Sequence, residues 1–214
     1  MDRLETIAEH ARAALEAKHS HRERGLQVQR EVIRTAANSI RAVHRGEFDR
    51  ARDLLDGAAD ALSRINAALQ PHPDLRHAGW LHDAEKEYAE AELTLAFLSG
   101  RPIPGPDDLA VGVAPYLNGL GETVGELRRA VLDILRHGEL GQSEALLEAM
   151  DAIYGLLVTI DFPDALTGGL RRTTDNARGI LERTRGDLTV AIRQKMLEDK
   201  LAAVERRPDR LGNG

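Results

Sequence analysis

Apolar residues recur every three to four positions over stretches far longer than a strand, and all eight prolines fall between those stretches or at their ends. A chain patterned this way has few folds open to it besides packed helices. The first pattern runs from Asp2 to about Arg45, and His19–Arg22 is the one place where a break is expected. It is clearest at Leu26, Ile33, Ala36, Ala37, Ile40 and Val43, and Gly46 ends it as a left-handed terminal glycine. A second starts at Glu47, carries Phe48, Ala51, Leu55, Ala58, Leu62, Ile65 and Leu69, and stops before Pro71 and Pro73. The third spans Trp80 to Leu98, and the run from Ser99 to Pro106 breaks the chain after it.

A fourth helix is expected from Pro115 to His137, with Tyr116, Leu120, Val124, Leu127, Val131 and Ile134 on its stripe and Gly138 closing it. A fifth begins near Glu139 and carries Leu146, Leu147, Met150, Ile153, Tyr154 and Leu157. Asp161–Asp164 reads as a turn and Thr167–Gly169 as a second break. The last helix runs from Leu170 to Glu205. Only Leu156–Ile160 is locally strand-like, and its context continues a helix. The expected architecture is all-α: one domain over residues 1–205, a bundle of six to seven long antiparallel helices, with 206–214 as a flexible tail.

Composition supports this reading and removes several chemistries. Aromatics make up 3% of the 214 residues, against 42% hydrophobic and 30% charged, which disfavours sheets and disorder alike. The chain has no cysteine, so disulfides, zinc–thiolate centres and thiol nucleophiles are excluded. The N-terminus lacks the apolar run of a secretory signal, and no segment approaches the ~20 apolar residues of a membrane span. A soluble, cytoplasmic protein is expected. No Walker-type phosphate loop, G-x-S-x-G elbow or HExxH pair is present.

The segment Ala84–Glu92 carries the strongest chemical signal. Ala84, Tyr88, Ala91, Leu95 and Leu98 form an apolar stripe, and Asp83, Glu87 and Glu90 line one flank of it. Lys86, the only nearby lysine, lies off that flank. Carboxylates crowded together repel unless a cation or a shared proton relieves them, and an oxygen-only group suits a hard divalent ion such as Mg²⁺. The bland alternative is a solvated acidic face.

The net charge is −6, from 29 Lys+Arg against 35 Asp+Glu, so a wholly basic nucleic-acid coat is disfavoured while a local patch is not. Only Lys18, Lys86, Lys195 and Lys200 are lysines; the other cations are arginines, whose flat fork fits phosphate. Arg30, Arg34, Arg41 and Arg45 share one helical face, which reads either as a phosphate-tracking stripe or as a solvated face paired with acids. Arg171, Arg172 and Arg178 pose the same choice. His72, His77 and His82 flank the start of the third helix and read as surface or capping residues. Trp80, Tyr88 and Tyr154 fall on or near stripes and read as core rather than as a base-stacking platform.

Several segments, taken in order, resemble the translin/TRAX family, and its archaeal-type single-subunit members in particular, over nearly the whole chain. They are Arg22–Leu26 with Arg30–Arg34 and Ile40–Gly46; Glu87-Tyr88-Ala89-Glu90-Ala91; Tyr116–Leu120 followed by Val124–Arg129; and Phe162–Arg172 with Glu182–Asp187. The resemblance implies a translin-like fold of about seven helices and a closed homo-octameric shell that binds single-stranded RNA, or single-stranded DNA, inside. In TRAX-like members it implies Mg²⁺-dependent endoribonuclease activity, with Mn²⁺ as a substitute. Glu87 and Glu90 match the two glutamates of the family's catalytic helix. The third acid is expected directly after Tyr154, where this chain has Gly155; Asp151, one turn earlier, and Glu122, on the fourth helix, are the replacements to consider. The arginines at 30, 34, 41, 45, 171 and 172 are the expected phosphate contacts. Gly155 keeps open a non-catalytic single-strand-binding module, and a helical scaffold that never touches nucleic acid is a third reading.

Overall fold

The computed structural model describes residues 2–76, 79–138 and 140–205; His77 and the 206–214 segment lie outside the described residues. Among these, the chain forms eight helices and no strand: α1 (Asp2–His44), α2 (Phe48–Ala68), α3 (Pro73–Arg76), α4 (Gly79–Ser99), α5 (Val113–Leu135), α6 (Leu140–Leu157), α7 (Asp164–Thr167) and α8 (Leu170–Glu205). Six are the long helices read from the periodicity. The other two are single turns, and α3 begins on Pro73, where proline's fixed φ and missing N–H do no harm.

The break expected near His19–Arg22 does not occur. α1 is continuous, because no Pro or Gly interrupts it before Gly25 and its polar residues there are exposed and tolerated in a helix. The strand-like Leu156–Ile160 stays helical at first and then turns: Val158 N–H donates to Tyr154 O and Ile160 N–H to Leu157 O. Gly46 (φ +74°) and Gly138 (φ +80°) take the left-handed conformation after α1 and α5, the geometry that reading them as helix stops requires.

The core has two lobes that share α4. In the first, Val32, Ala36, Ile40 and Val43 of α1 pack on Leu55, Leu62 and Ile65 of α2 and on Ala84, Tyr88, Ala91 and Leu95 of α4. In the second, Leu93 of α4 joins Leu120, Val124 and Leu127 of α5, Met150 and Ile153 of α6, and Leu170, Ala177 and Leu181 of α8. α4 is therefore buried on two sides, and its polar residues between the lobes are confined to narrow strips. Trp80 and Tyr154 are half-buried against these two lobes, and Tyr88 is buried.

The outer ends of α1 and α8 differ from the rest. Between residues 3 and 20 only Ala8 is even half-covered, and beyond Leu188 no described residue of α8 is buried. Among the described residues, no helix is long and apolar enough to cross a membrane.

Candidate metal and nucleic-acid site

Where α4 meets α5 the two backbones touch. A Cβ on Gly119 would stand 2.7 Å from Lys86 O and 2.9 Å from Glu90 N, so only glycine permits this approach. Glu122 follows Gly119 by one turn and is carried to the acidic flank of α4. Glu87, Glu90 and Glu122 each offer a carboxylate oxygen, and the three oxygens lie within 4.8 Å of one another. Asp83, expected on the same flank, is exposed and outside this group; a neighbouring helix, not the same one, supplies the third acid.

Lys86 is also part of the site, contrary to the helical-face argument. Its Nζ donates to Glu122 at 2.8 Å and lies 3.3 Å from Glu87, because a long flexible stem reaches what its Cβ direction does not. Burial opposes its charge, but Glu122 and Glu87 outweigh that and hold its pKa above the ordinary lysine value. Glu126 stands one turn beyond Glu122 and accepts a 2.5 Å hydrogen bond from His44 Nε2 of α1. That bond holds the Glu126 carboxyl below the ordinary range. Glu90 goes the other way. Burial, then the charges of Glu122, Glu87 and Glu126, push its pKa up to about 8, with Lys86 only partly offsetting them. The pocket thus has more negative charge than its cations neutralise.

No family model matches the chain. It is 30% identical over 190 residues to an uncharacterized protein of Methanocaldococcus jannaschii, covering 88% of this chain and 84% of that one. Among solved structures it is similar to AfC3PO in a complex with duplex RNA, at TM-score 0.82 and 35% identity over 88% of this chain and 98% of that one. A crystal structure of AfC3PO gives 0.81 and 34% over the same shares. The chain belongs to the translin/C3PO family. Apo-NeC3PO, 18% identical with a TM-score of 0.73 over 89% of this chain and 98% of that one, shares the fold.

In this translin/C3PO protein Asp151 is not near the acid cluster. It stands exposed on α6 and accepts a 2.7 Å bond from Arg185 of α8, which corrects its choice as a third carboxylate; the acid grouped with Glu87 and Glu90 is Glu122. Gly155 faces open space, with nothing within 4 Å of where its Cβ would be.

The four α1 arginines are all exposed, as the stripe requires. Arg41 precedes His44 by three residues, so the stripe begins on the side of α1 that reaches Glu126. Arg41 donates to Asn38 at 2.6 Å and Arg45 pairs with Glu47, while Arg30 and Arg34 have no partner among the described residues. Arg171 and Arg172 separate. Arg171 lines a cavity of about 750 Å³ with Asp161, Asp164 and Asp175, away from the cluster. Arg172 lines a cavity of about 470 Å³ together with Glu90 and Glu122. Arg178 is paired with Glu182. His82 packs its ring against Gly168, and His72 lies 4.7 Å from the His21 ring, so both serve packing.

Sequence reasoning did not assign Gly119, Glu126 and His44 to the site. The i, i+4 pair Glu122–Glu126 and the glycine two residues before the buried Gly121 were visible signals; nothing local marks His44.

Proposed function

We propose that this protein is a Mg²⁺-dependent endoribonuclease for single-stranded RNA that works within a homo-oligomeric shell, an octamer by its family resemblance. The observation that carries this is the group of three carboxylate oxygens within 4.8 Å, one of them on a glutamate made basic by burial and by its acidic neighbours. The donors are all hard oxygens, with no nitrogen or sulfur ligand among the three, and the net negative charge calls for a further cation, so the residues fit Mg²⁺ or Mn²⁺. Glu87, Glu90 and Glu122 would hold the ion. When bound, it would supply Lewis-acid polarisation of a phosphodiester and a water of lowered pKa. His44 anchors Glu126 and keeps that charge in place, while Lys86 fixes the Glu122 carboxylate. A glutamate of the cluster that is not fully engaged can accept the water's proton. Arg30, Arg34, Arg41 and Arg45 give the strand a phosphate-binding approach to this pocket, and Arg172 stands at its edge. A relative 35% identical over most of the chain has been solved with duplex RNA, which supports an RNA partner.

Assembly draws support from the overhanging helix ends. Leu4, Ile7 and Leu15 on α1, and Val190, Leu197, Leu201 and Val204 on α8, are each more than half exposed and fall at helical spacing. Apolar stripes this long on a single chain match surfaces covered by further copies.

The test is cleavage of a single-stranded RNA oligomer in Mg²⁺. Glu87→Ala should abolish turnover and high-affinity Mn²⁺ binding while the particle keeps its size; wild-type cleavage by that variant rejects the assignment. Lys86 favours a second reading, binding without cleavage, because its ammonium already bridges two of the three acids. Salt-sensitive RNA binding with no turnover in either Mg²⁺ or Mn²⁺ would select it.

A further inference from the structure

Beside the acid cluster, α4, α5 and α8 line the open cavity of about 470 Å³, whose two walls differ in character. Glu90 and Glu122 form one wall. The other is built from α8: Arg172, Asn176 and Ile180 recur at intervals of four, so they share one face of that helix. We propose that this cavity is a subsite for one nucleotide of the RNA strand, next to the phosphodiester handled by the acids. Arg172 takes the phosphate, Asn176 a hydrogen-bonding edge of the base, and Ile180 the base face. The proposal rests on the reading that the acid cluster acts on RNA.

Three observations carry it. First, Arg172 shares the cavity with two carboxylates yet makes no ion pair with either, and among the described residues no other partners it. On α8, Arg178, Arg185 and Lys195 are each paired with an acid, whereas among the described residues Arg171, Arg183 and Arg193 are, like Arg172, in no ion pair; what sets Arg172 apart is the cavity it shares with the carboxylates of the cluster. An unpaired guanidinium facing carboxylates across a gap is arranged to bind an anion the carboxylates would otherwise repel. Second, the Asn176 amide also has no partner among the described residues, and an amide offers both the donor and the acceptor that base edges present. Ile180 is half-buried and leaves an apolar surface one turn on. A splayed base of a single strand needs this combination of an apolar face and an edge partner. Third, the wall is held in register. Thr173 turns inward and donates to Asn118 Oδ1 at 2.7 Å, and Asn118 in turn donates to Thr167 O at 2.7 Å. A Cβ on Gly121 would lie 2.5 Å from the Thr173 methyl, so glycine sets the α5–α8 spacing. The volume is in the ~300–1,000 Å³ range of small-ligand sites, which suits one nucleotide rather than a duplex.

The experiment measures binding of fluorescent homo-oligomers of U, C, A and G by anisotropy, with the full chain and no divalent ion. Arg172→Ala should weaken binding about tenfold for every oligomer and reduce the slope of log affinity against log salt by about 1, with partial recovery in Arg172→Lys. Asn176→Ala should change the ratio of affinities among the four oligomers by about fivefold or more, whereas Glu90→Gln should keep their order. Both variants alter exposed residues, and a thermal melt matching wild type confirms the fold. Wild-type affinity and salt slope in Arg172→Ala, or an unchanged base ratio in Asn176→Ala, would overturn the subsite while leaving the nuclease reading intact. Failure of the wild-type protein to bind any oligomer would overturn both.

Discussion

Glu90 and Glu92 stand two residues apart on α4 and meet opposite electrostatic surroundings. Glu92 is 4% exposed, yet both its oxygens accept from Arg52, at 2.5 and 2.7 Å, and that guanidinium also reaches Asp56. Glu90 has Glu87, Glu122 and Glu126 as its charged neighbours and shares one lysine with them. The helix supplies the same side chain twice; the helix packed against it decides the outcome. α2 brings a bidentate cation to Glu92, and the pair is structural. α5 brings further acids to Glu90, and the pocket is left wanting positive charge. A buried carboxylate is a functional signal only when its surroundings leave it unpaired.

The comparison breaks most visibly at Arg52. Arg52→Ala strands Glu92 in the core and should cost about 3–5 kcal/mol in urea unfolding at pH 7. The double variant Arg52→Met/Glu92→Leu should recover most of that loss, because two apolar residues of similar volume need no counter-charge. A single-variant cost under about 1 kcal/mol would mean that Glu92 finds another partner or takes a proton, and the contrast with Glu90 would fail.

Gly119→Ala attacks the other side of the contrast. Its Cβ would strike the α4 backbone on either side of Glu87, where neither side-chain flexibility nor a rotamer change can relieve the clash. Overpacking of this kind should cost about 1–3 kcal/mol and move Glu122 away from its partners, so Mn²⁺ affinity should fall along with stability. Gly57 has open space at its Cβ and provides the control: Gly57→Ala should leave Mn²⁺ binding unchanged.

These glycines show what local pattern can and cannot convey. The six long helices are visible because each buries a stripe at helical period, and most of their boundaries lie within a few residues of a Pro or Gly. Glu87 and Glu90 were visible because both lie on one strip of one helix. Asp83 lies on that strip too, but the strip leaves the bundle one turn earlier and the side chain reaches solvent. Lys86 departs from its face for a related reason: face arithmetic locates a Cβ, whereas an ammonium five bonds from its Cα goes where charge pulls it. Glu122, Glu126 and His44 come from other helices, and only the packing of α1 and α5 on α4 brings them together. Asp151 illustrates the reverse error, an acid near the expected position along the sequence but committed to Arg185 on α8.

Titration sharpens the comparison further. Folded Glu90 keeps its proton up to about pH 8, whereas in the unfolded chain it ionises near 4.5. Between those values the folded state binds more protons, so stability falls as pH rises through this window. Glu90→Gln has no such proton to lose. Relative to wild type it should gain nothing below about pH 4.5 and about 1–2 kcal/mol above pH 8, a gain reduced from the full shift because the group is partly solvated and Lys86 lies nearby. Urea midpoints at pH 4.5, 6.5 and 8.5 read this directly. Lines that stay parallel across the three values would show that Glu90 is compensated like Glu92.

The smallest effect concerns the position where the family resemblance expects an acid. Gly155 lies in the interior of α6, on an exposed face with open space around it, so nothing in the isolated chain requires glycine there. Gly155→Ala should therefore stabilise by about 0.5–1 kcal/mol, through a less flexible unfolded chain and better helix propensity. The sign is the informative part. A stabilised variant means that nothing packs on this face of α6 closely enough to exclude a methyl group, so the position is free to vary. A destabilised one, seen in the assembled particle, means another copy packs on this face closely enough to exclude a methyl group. In that case the glycine replaces the acid because the assembly needs the space.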